Sequence, residues 1–411
     1  MEHAQLNAYD DAAGSEFTTR DYWKSLLGFA FCLIWPTVSM FKKLPPVLLF
    51  VYVGFVFASL LVVTRCLPRA VWRRCADPKI AIPVLGVFFL ALSAAFFMIY
   101  PAIDTAGFRL FGRQFGACDC DDAINQSIAN ILAGKYPYYE TTFLGGRISP
   151  MPGVFLLASP FYFTGCSAFQ NIFWLAVFII GLGRYLRSVT ASLLVAIFVL
   201  FLSPNVTYQA LQGADYLANT AYVLTFSALL FESARRKSRF GWSALWAVML
   251  GIGLSSRANF MFAAVLLYAA MLKNFGLKKS TLLMFFAGVS WCATTLPFLL
   301  YDPAHFTPLG SVRKLGNIPP WVASACVAVG LLLTLALAMR YKKKAPTLVC
   351  FCRDVFWVQV YFVAIRTLNV SIARNTFFID ETYFGMFFSL FGFAAFTPGL
   401  LSHIAATTKR L

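Results

Sequence analysis

Three aspartates, Asp119, Asp121 and Asp122, fall within four positions of a chain that has only 17 acidic residues. Carboxylates this close repel one another, so a purely structural use for all three is wasteful. One of them, held at a low-dielectric boundary, has its proton affinity raised and becomes a competent base. The structural alternative is that Asp121 and Asp122 stand at a helix start and cap its unpaired amides. A single carboxylate suffices where a hydroxyl displaces a phosphate: the base takes the hydroxyl proton, and the phosphate departs without a paired acid. Cations must then receive the developing charge. Candidates are Lys135, Arg147, Arg257, Arg313, Lys314, Arg366 and Arg374. Arg257, in GLSSRANF, lies between two apolar stretches with no acidic neighbour in sequence, which marks it as functional ahead of snorkelling to headgroups. Arg374, in SIARNTFF before the last apolar stretch, reads the same way. Asp119-Cys120-Asp121 also has D-x-D form, suited to a hard cation, but three adjacent residues do not complete a site. No cofactor is required, and a divalent cation is left open.

The aspartates sit in the longest polar interval between apolar stretches, Cys118 to Gly165. Ile124, Ile128, Ile131 and Leu132 recur at helical spacing and Gly134 ends the run, which predicts a short amphipathic helix on the membrane surface. Around this interval the chain is 60% hydrophobic and 12% charged over 411 residues. Such a surface has the bilayer as its solvent, and only an α-helical bundle satisfies the backbone there. Windows of about 20 apolar residues predict twelve spans, near 25–41, 47–63, 81–100, 168–186, 189–205, 214–233, 241–255, 258–272, 281–301, 320–340, 348–367 and 378–401. Residues 1–24 are expected to be a cytoplasmic tail without a signal peptide, and 25–411 a single polytopic domain.

The net charge of +17 would suggest nucleic acid in a soluble protein. Here the basic residues lie in short clusters between apolar segments, so they report topology, and no nucleic-acid partner is expected. With both termini cytoplasmic, 23 of the 34 basic residues face inward, which obeys the positive-inside rule. The interval 101–167 then lies outside as the expected catalytic loop. The Pro- and Gly-rich loop 302–319, with His305, is expected to cover the site mouth and influence acceptor choice. Cys118, Cys120 and Cys166 would also lie outside, where one disulfide could form.

The residues also carry a resemblance. Asp119-Cys120-Asp121-Asp122, a helix, Gly134-Lys135-Tyr136-Pro137-Tyr138, then Pro150, Pro152 and an apolar run ending at Pro160 resemble the first luminal loop of the GT-C glycosyltransferases. These are multi-span enzymes that use polyprenyl- or dolichyl-phosphate sugars; the likeness is strongest to a mannosyltransferase-like group with a G-x-x-P-Y signature. Gly213-Ala214-Asp215, an apolar span, the basic turn Arg235 to Arg239, then Trp242 and LGIGLSSR are similar to the family's outer turn, basic inner turn and outer cation. The two blocks cover about 140 residues. Arg257 stands where Lys is commoner, and two N-terminal spans precede the helix leading into the loop.

The resemblance implies a GT-C-like bundle in a bacterial inner membrane, or in the ER membrane of a eukaryotic host. It implies inverting transfer of mannose or a related sugar from a polyprenyl-phosphate donor to a lipid or glycan acceptor. A first-loop aspartate would be the base, with Asp121 placed ahead of Asp119 and Asp122. Arg257, Arg374, Lys135 and Arg147 would bind the donor phosphate, and Tyr138, Asp215 and His305 the substrate. The alternatives are a secondary transporter, which needs mid-membrane carboxylates that the spans lack, with Asp354 and Glu232 near span ends, and a glycan polymerase or ligase, which resembles this chain less because its large outer loop comes late.

Overall fold

The computed structural model describes residues 18–409 apart from 111–112, 116–117, 237, 309–318, 344 and 376–379. Arg313, Lys314 and most of the expected covering loop therefore lie outside the described residues. What is described is helical except for a short ribbon, Phe108–Leu110 (β1) paired antiparallel with Arg113–Phe115 (β2). The first helix, Thr19–Ile34 (α1), opens on a capping box: the Asp21 amide donates to Thr18 Oγ1 at 3.3 Å and the Thr18 amide to Asp21 Oδ2 at 3.4 Å. Pro46–Leu61 (α2), Arg69–Ala76 (α3) and Pro78–Ile103 (α4) follow. The last starts on an Asp77 cap with Pro78 at its first position, where a missing amide costs nothing.

Cys120–Leu132 (α5) and Pro152–Phe163 (α6) flank the polar interval. Then come Gln170–Tyr185 (α7), Val189–Leu202 (α8), Pro204–Gln212 (α9), Tyr216–Arg235 (α10) and Phe240–Leu254 (α11). Met261–Phe275 (α12), Leu277–Tyr301 (α13), Pro320–Arg340 (α14), Leu348–Ala373 (α15) and Met386–Lys409 (α16) complete the bundle.

Among the described residues nine helical segments are long and apolar enough to cross a membrane, or ten if α8 and α9 count as one span bent by 86°. The chain is thus a multi-pass helical membrane protein, and the twelve expected spans are not all reproduced. Pro204 forces Ser203 out of helical geometry and breaks the fifth window. Helix α10 carries Asn219, Thr220, Ser227 and Glu232, and α11 has only 15 residues, about 22 Å against a hydrocarbon thickness of about 30 Å.

Burial separates the interior from the perimeter. The most apolar 18-residue stretch of Thr382–Ala405 is 94% buried, whereas that of Pro78–Ile103 is 11% buried, and the latter helix shows Ile82, Val87, Leu90, Phe97 and Met98 to the surroundings. Helix α10 packs against α7, α11 and α16 and keeps its polar side chains inside, as where Thr220 Oγ1 bonds the carbonyls of Tyr216 at 2.9 Å and Met386 at 3.1 Å. Helices α6, α11 and α13 meet backbone to backbone: a Cβ at Gly153 would collide with the carbonyls of Ile252 and Ser255, and one at Gly251 with that of Ala287.

The bundle has two chemically distinct ends. One gathers basic residues that the sequence places inside: Lys279 Nζ bonds the Ala234 carbonyl at 2.9 Å, Lys273 Nζ bonds that of Lys342 at 3.1 Å, and Arg65 lies over Tyr22. The other gathers the ends of α4, α11 and α13, the starts of α6 and α10, and all of α5. All ten cysteines are unbonded, including Cys118, Cys120 and Cys166.

Candidate active site

Helix α5 starts the site, and its first turn sends the three aspartates in different directions. Asp119 accepts from Thr142 Oγ1. Asp122 accepts from the Phe143 amide at 3.0 Å and from Gln126 Nε2 at 2.9 Å. Both therefore tie the 141–147 turn to the helix, a structural use of charge different from the amide capping expected of Asp121 and Asp122. The amphipathic face also packs differently from expectation. Ile124 and Ile128 are buried with Tyr136, Tyr138, Val154 and Phe155, and only Ile131 and Leu132 remain exposed. Protein, rather than a lipid surface, covers most of that face.

Asp121 points inward and is 2% exposed. Its Oδ2 accepts from the Tyr100 hydroxyl at the end of α4, and its Oδ1 is buried without a hydrogen-bond partner among the described residues. Burial pushes its pKa up to about 7, the Tyr100 bond pulls against that, and the Asp104 charge adds to it. Asp104 is itself raised, by burial and then by Asp122, and its Oδ1 is likewise buried and unpartnered. Gly213, at φ +89°, leaves room for the carboxylate: a Cβ there would stand 2.9 Å from Asp121 Cγ.

Arg257, between α11 and α12, reaches the same end of the bundle. Its partner is distant in sequence: Nη2 bonds both carboxylate oxygens of Asp215 at 2.7 Å, and Nη1 lies 3.4 Å from Ser149 Oγ. Asp215 is fully buried and also accepts from Asn219 Nδ2 at 2.8 Å. Arg257 is thus charge-compensated by a partner that the sequence around it does not show, and Asp215 faces the arginine. Arg257 Nε is nevertheless buried without a partner among the described residues.

Tyr216 connects the halves. Its ring lies 5.3 Å beneath the Arg257 guanidinium, and its hydroxyl accepts from Cys120 Sγ, next to Asp121, at 3.5 Å. The same ring packs on Phe384, over which Arg366 lies at 4.1 Å.

Of the remaining expected site residues, Tyr138 lies near enough to Arg257 to feel its charge. Lys135, Arg147 and Arg374 are exposed, on the turn after α5, in a bridge with Thr141, and at the end of α15. Tyr138 is buried, donates to the Pro150 carbonyl at 3.1 Å and packs edge-on against Phe298 and Phe306. Its ring and hydroxyl pack the loop together. His305 is exposed and sits 2.7 Å from Asp302, with Tyr139 alongside. The described start of its loop, 302–308, bonds the loop before α6 through Thr307, and its Phe306 shares a buried cluster with Ala123 and Ile124 of α5.

No family model, curated protein or solved structure matches the chain. Among the described residues no three His, Cys, Asp or Glu side chains form a group that could hold a metal ion. Tyr100, Asp104, Cys120 and Tyr216 are the site neighbours that the sequence reading missed. The pair Tyr100 and Asp104 carried a signal, a hydroxyl and a carboxylate one helical turn apart where an apolar span ends. Tyr216 carried none beyond following Asp215.

Proposed function

We propose that the chain is a membrane glycosyltransferase that moves a sugar, mannose or a related hexose or pentose, from a polyprenyl-phosphate donor to a lipid or glycan hydroxyl, with inversion. One observation supports this reading above the others: two buried atoms of opposite need, Asp121 Oδ1 and Arg257 Nε, stand on either side of the Cys120–Tyr216 contact. A buried carboxylate oxygen calls for a proton donor, and a buried guanidinium N–H calls for an acceptor. An acceptor hydroxyl meets the first need and a phosphate oxygen the second.

In the proposed step Asp121 takes the hydroxyl proton and the hydroxyl oxygen bonds the anomeric carbon. The bond from that carbon to the phosphate oxygen breaks, leaving its electron pair on the lipid phosphate beside Arg257. Compensation by Asp215 holds the guanidinium in one orientation without consuming Nε. The aromatic group Tyr216, Phe384 and Phe387 offers flat apolar faces for a sugar ring or for the first isoprene unit. We assign the aspartate end to the extracytoplasmic side, from the basic bias of the opposite end.

The test is turnover. The purified chain in nanodiscs is given a panel of radiolabelled polyprenyl-phosphate sugars, and free lipid phosphate is counted. The expected result is release from at least one donor, falling about 100-fold or more in Asp121→Asn. Release from none, or equal release by D121N, overturns the assignment.

A further inference from the structure

A cavity at the basic end is lined by none of the three clustered aspartates. It has a volume of about 1140 Å³ and opens among α1, α7, α10, α15 and α16, larger than the about 300–1,000 Å³ of ordinary small-molecule sites. Its walls are of two kinds. Leu27, Phe31, Phe231, Phe356 and Trp357 make an apolar floor, while Lys24, Arg187, Arg235 and Arg353 oppose only two carboxylates, Asp21 and Glu232. A second cavity of about 360 Å³ shares Tyr185, Arg187, Glu232 and Arg235 with the first and runs on between apolar side chains of α7 and α10. A cationic mouth thus leads into an apolar slot.

Arg187 stands where the two cavities meet. Lys24 is paired with Asp21, Arg235 and Arg236 with Glu232, and Arg353 lies 3.7 Å from Asp354. The Arg187 side chain has no carboxylate within ion-pair distance among the described residues. Its backbone is at φ +50°, a conformation that favours Gly or Asn and costs an arginine free energy. A strained turn carrying an uncompensated cation at the junction of a polar and an apolar cavity is poor stabilising chemistry and good recognition chemistry.

We propose that this end of the bundle binds one anionic phospholipid of the bilayer, its phosphate on Arg187 and one acyl chain in the slot between α7 and α10. Basic pockets between transmembrane helices take anionic headgroups by charge, and the apolar walls select a lipid over a soluble phosphate, which would leave them uncovered. This site is separate from the proposed catalytic centre and does not depend on it.

The test is native mass spectrometry of the full chain released from nanodiscs of phosphatidylglycerol and phosphatidylcholine. Wild type is expected to retain one phosphatidylglycerol in preference to phosphatidylcholine. Arg187→Gly removes the charge where glycine is the better backbone fit, so the fold is kept. Retention should drop about tenfold, what one charge-assisted hydrogen bond contributes, and Arg187→Lys should restore part of it. Gly181→Phe enters the slot from α7, where a Cβ meets nothing within 4 Å, and should lower lipid retention while leaving the charge intact. Equal retention of the two lipids, no effect of R187G and G181F, or displacement of the lipid by inorganic phosphate alone overturns the proposal. So does retention that appears only after Asp10→Asn with Asp11→Asn, because the chain's own acidic N-terminal residues would then be the occupant.

Discussion

Asp121 is distinguished from its neighbours by what its oxygens touch. A carboxylate with its proton affinity raised to about 7 serves as a base only above that pH. Transfer should therefore rise with pH to a plateau, with a midpoint near 7. Tyr100→Phe removes the hydrogen bond that opposes the rise, so the limb should move to higher pH, read from kcat/KM profiles of the two proteins. The sign for stability is opposite. The folded chain holds this proton more tightly than the unfolded chain does, so stability should fall as pH rises from about 4 to 7. D121N should remove that slope in thermal-aggregation midpoints, and an unchanged slope places the titration elsewhere. Arg257 admits a second experiment. R257Q alone strands the buried Asp215 charge and should cost about 3–5 kcal/mol, whereas R257Q with Asp215→Asn should recover much of the melting temperature but not transfer. Recovery of transfer as well would make the pair purely structural. The sequence showed the aspartate cluster and Arg257 because charges are rare in so apolar a chain. It could not show the Arg257–Asp215 pair, whose partners lie 42 positions apart and meet only when α10 and α11 pack.

Elements position these residues through contacts that leave no room for a side chain. Helix α6 docks by its first turn onto the end of α11: the Gly153 amide donates to the Ser255 carbonyl at 2.8 Å and the Met151 amide to that of Ser256 at 3.1 Å. The turn that Asp119 and Asp122 clamp leads directly into α6, so this docking sets where α5 stands relative to Arg257. Gly153→Ala should push the two helices apart, costing about 1–3 kcal/mol and most of the transfer activity. Gly54→Ala on α2, where a Cβ meets nothing within 4 Å, should leave both melting temperature and activity unchanged. Equal behaviour of the two variants in melting and turnover would remove α6 docking from the account. The short helix after the acidic cluster was legible from Ile124, Ile128 and Gly134. Its covering was not, because the same apolar stripe suits a lipid surface and a protein neighbour equally, and only the placement of α6 decides between them.

At the scale of the whole molecule, hydropathy found the long apolar helices, missed the short Arg69–Ala76 and Pro204–Gln212, and could not tell which helices line the interior. Helix α10 reads as a span from its apolar residues, yet its Asn219, Thr220 and Ser227 belong to the centre of the bundle. Ser203-Pro204 splits another window into two helices with different directions. The segregation of charge is clearer than the count. Exposed Glu140 lies on the segment beside α5, and Arg239 lies at the opposite end, in the turn between α10 and α11. If the bundle axis crosses the bilayer, Cys placed at 140 and at 239 in a chain whose own cysteines are replaced should react with a membrane-impermeant maleimide from opposite sides of sealed vesicles. The residue at 140 should label in intact cells and the one at 239 only after permeabilisation, because the basic end belongs inside. Labelling of both from one side would lay the bundle along the membrane. The reverse order would keep the span but place the aspartates in the cytoplasm, where the lipid-linked donor and its acceptor would have to meet on the inner leaflet.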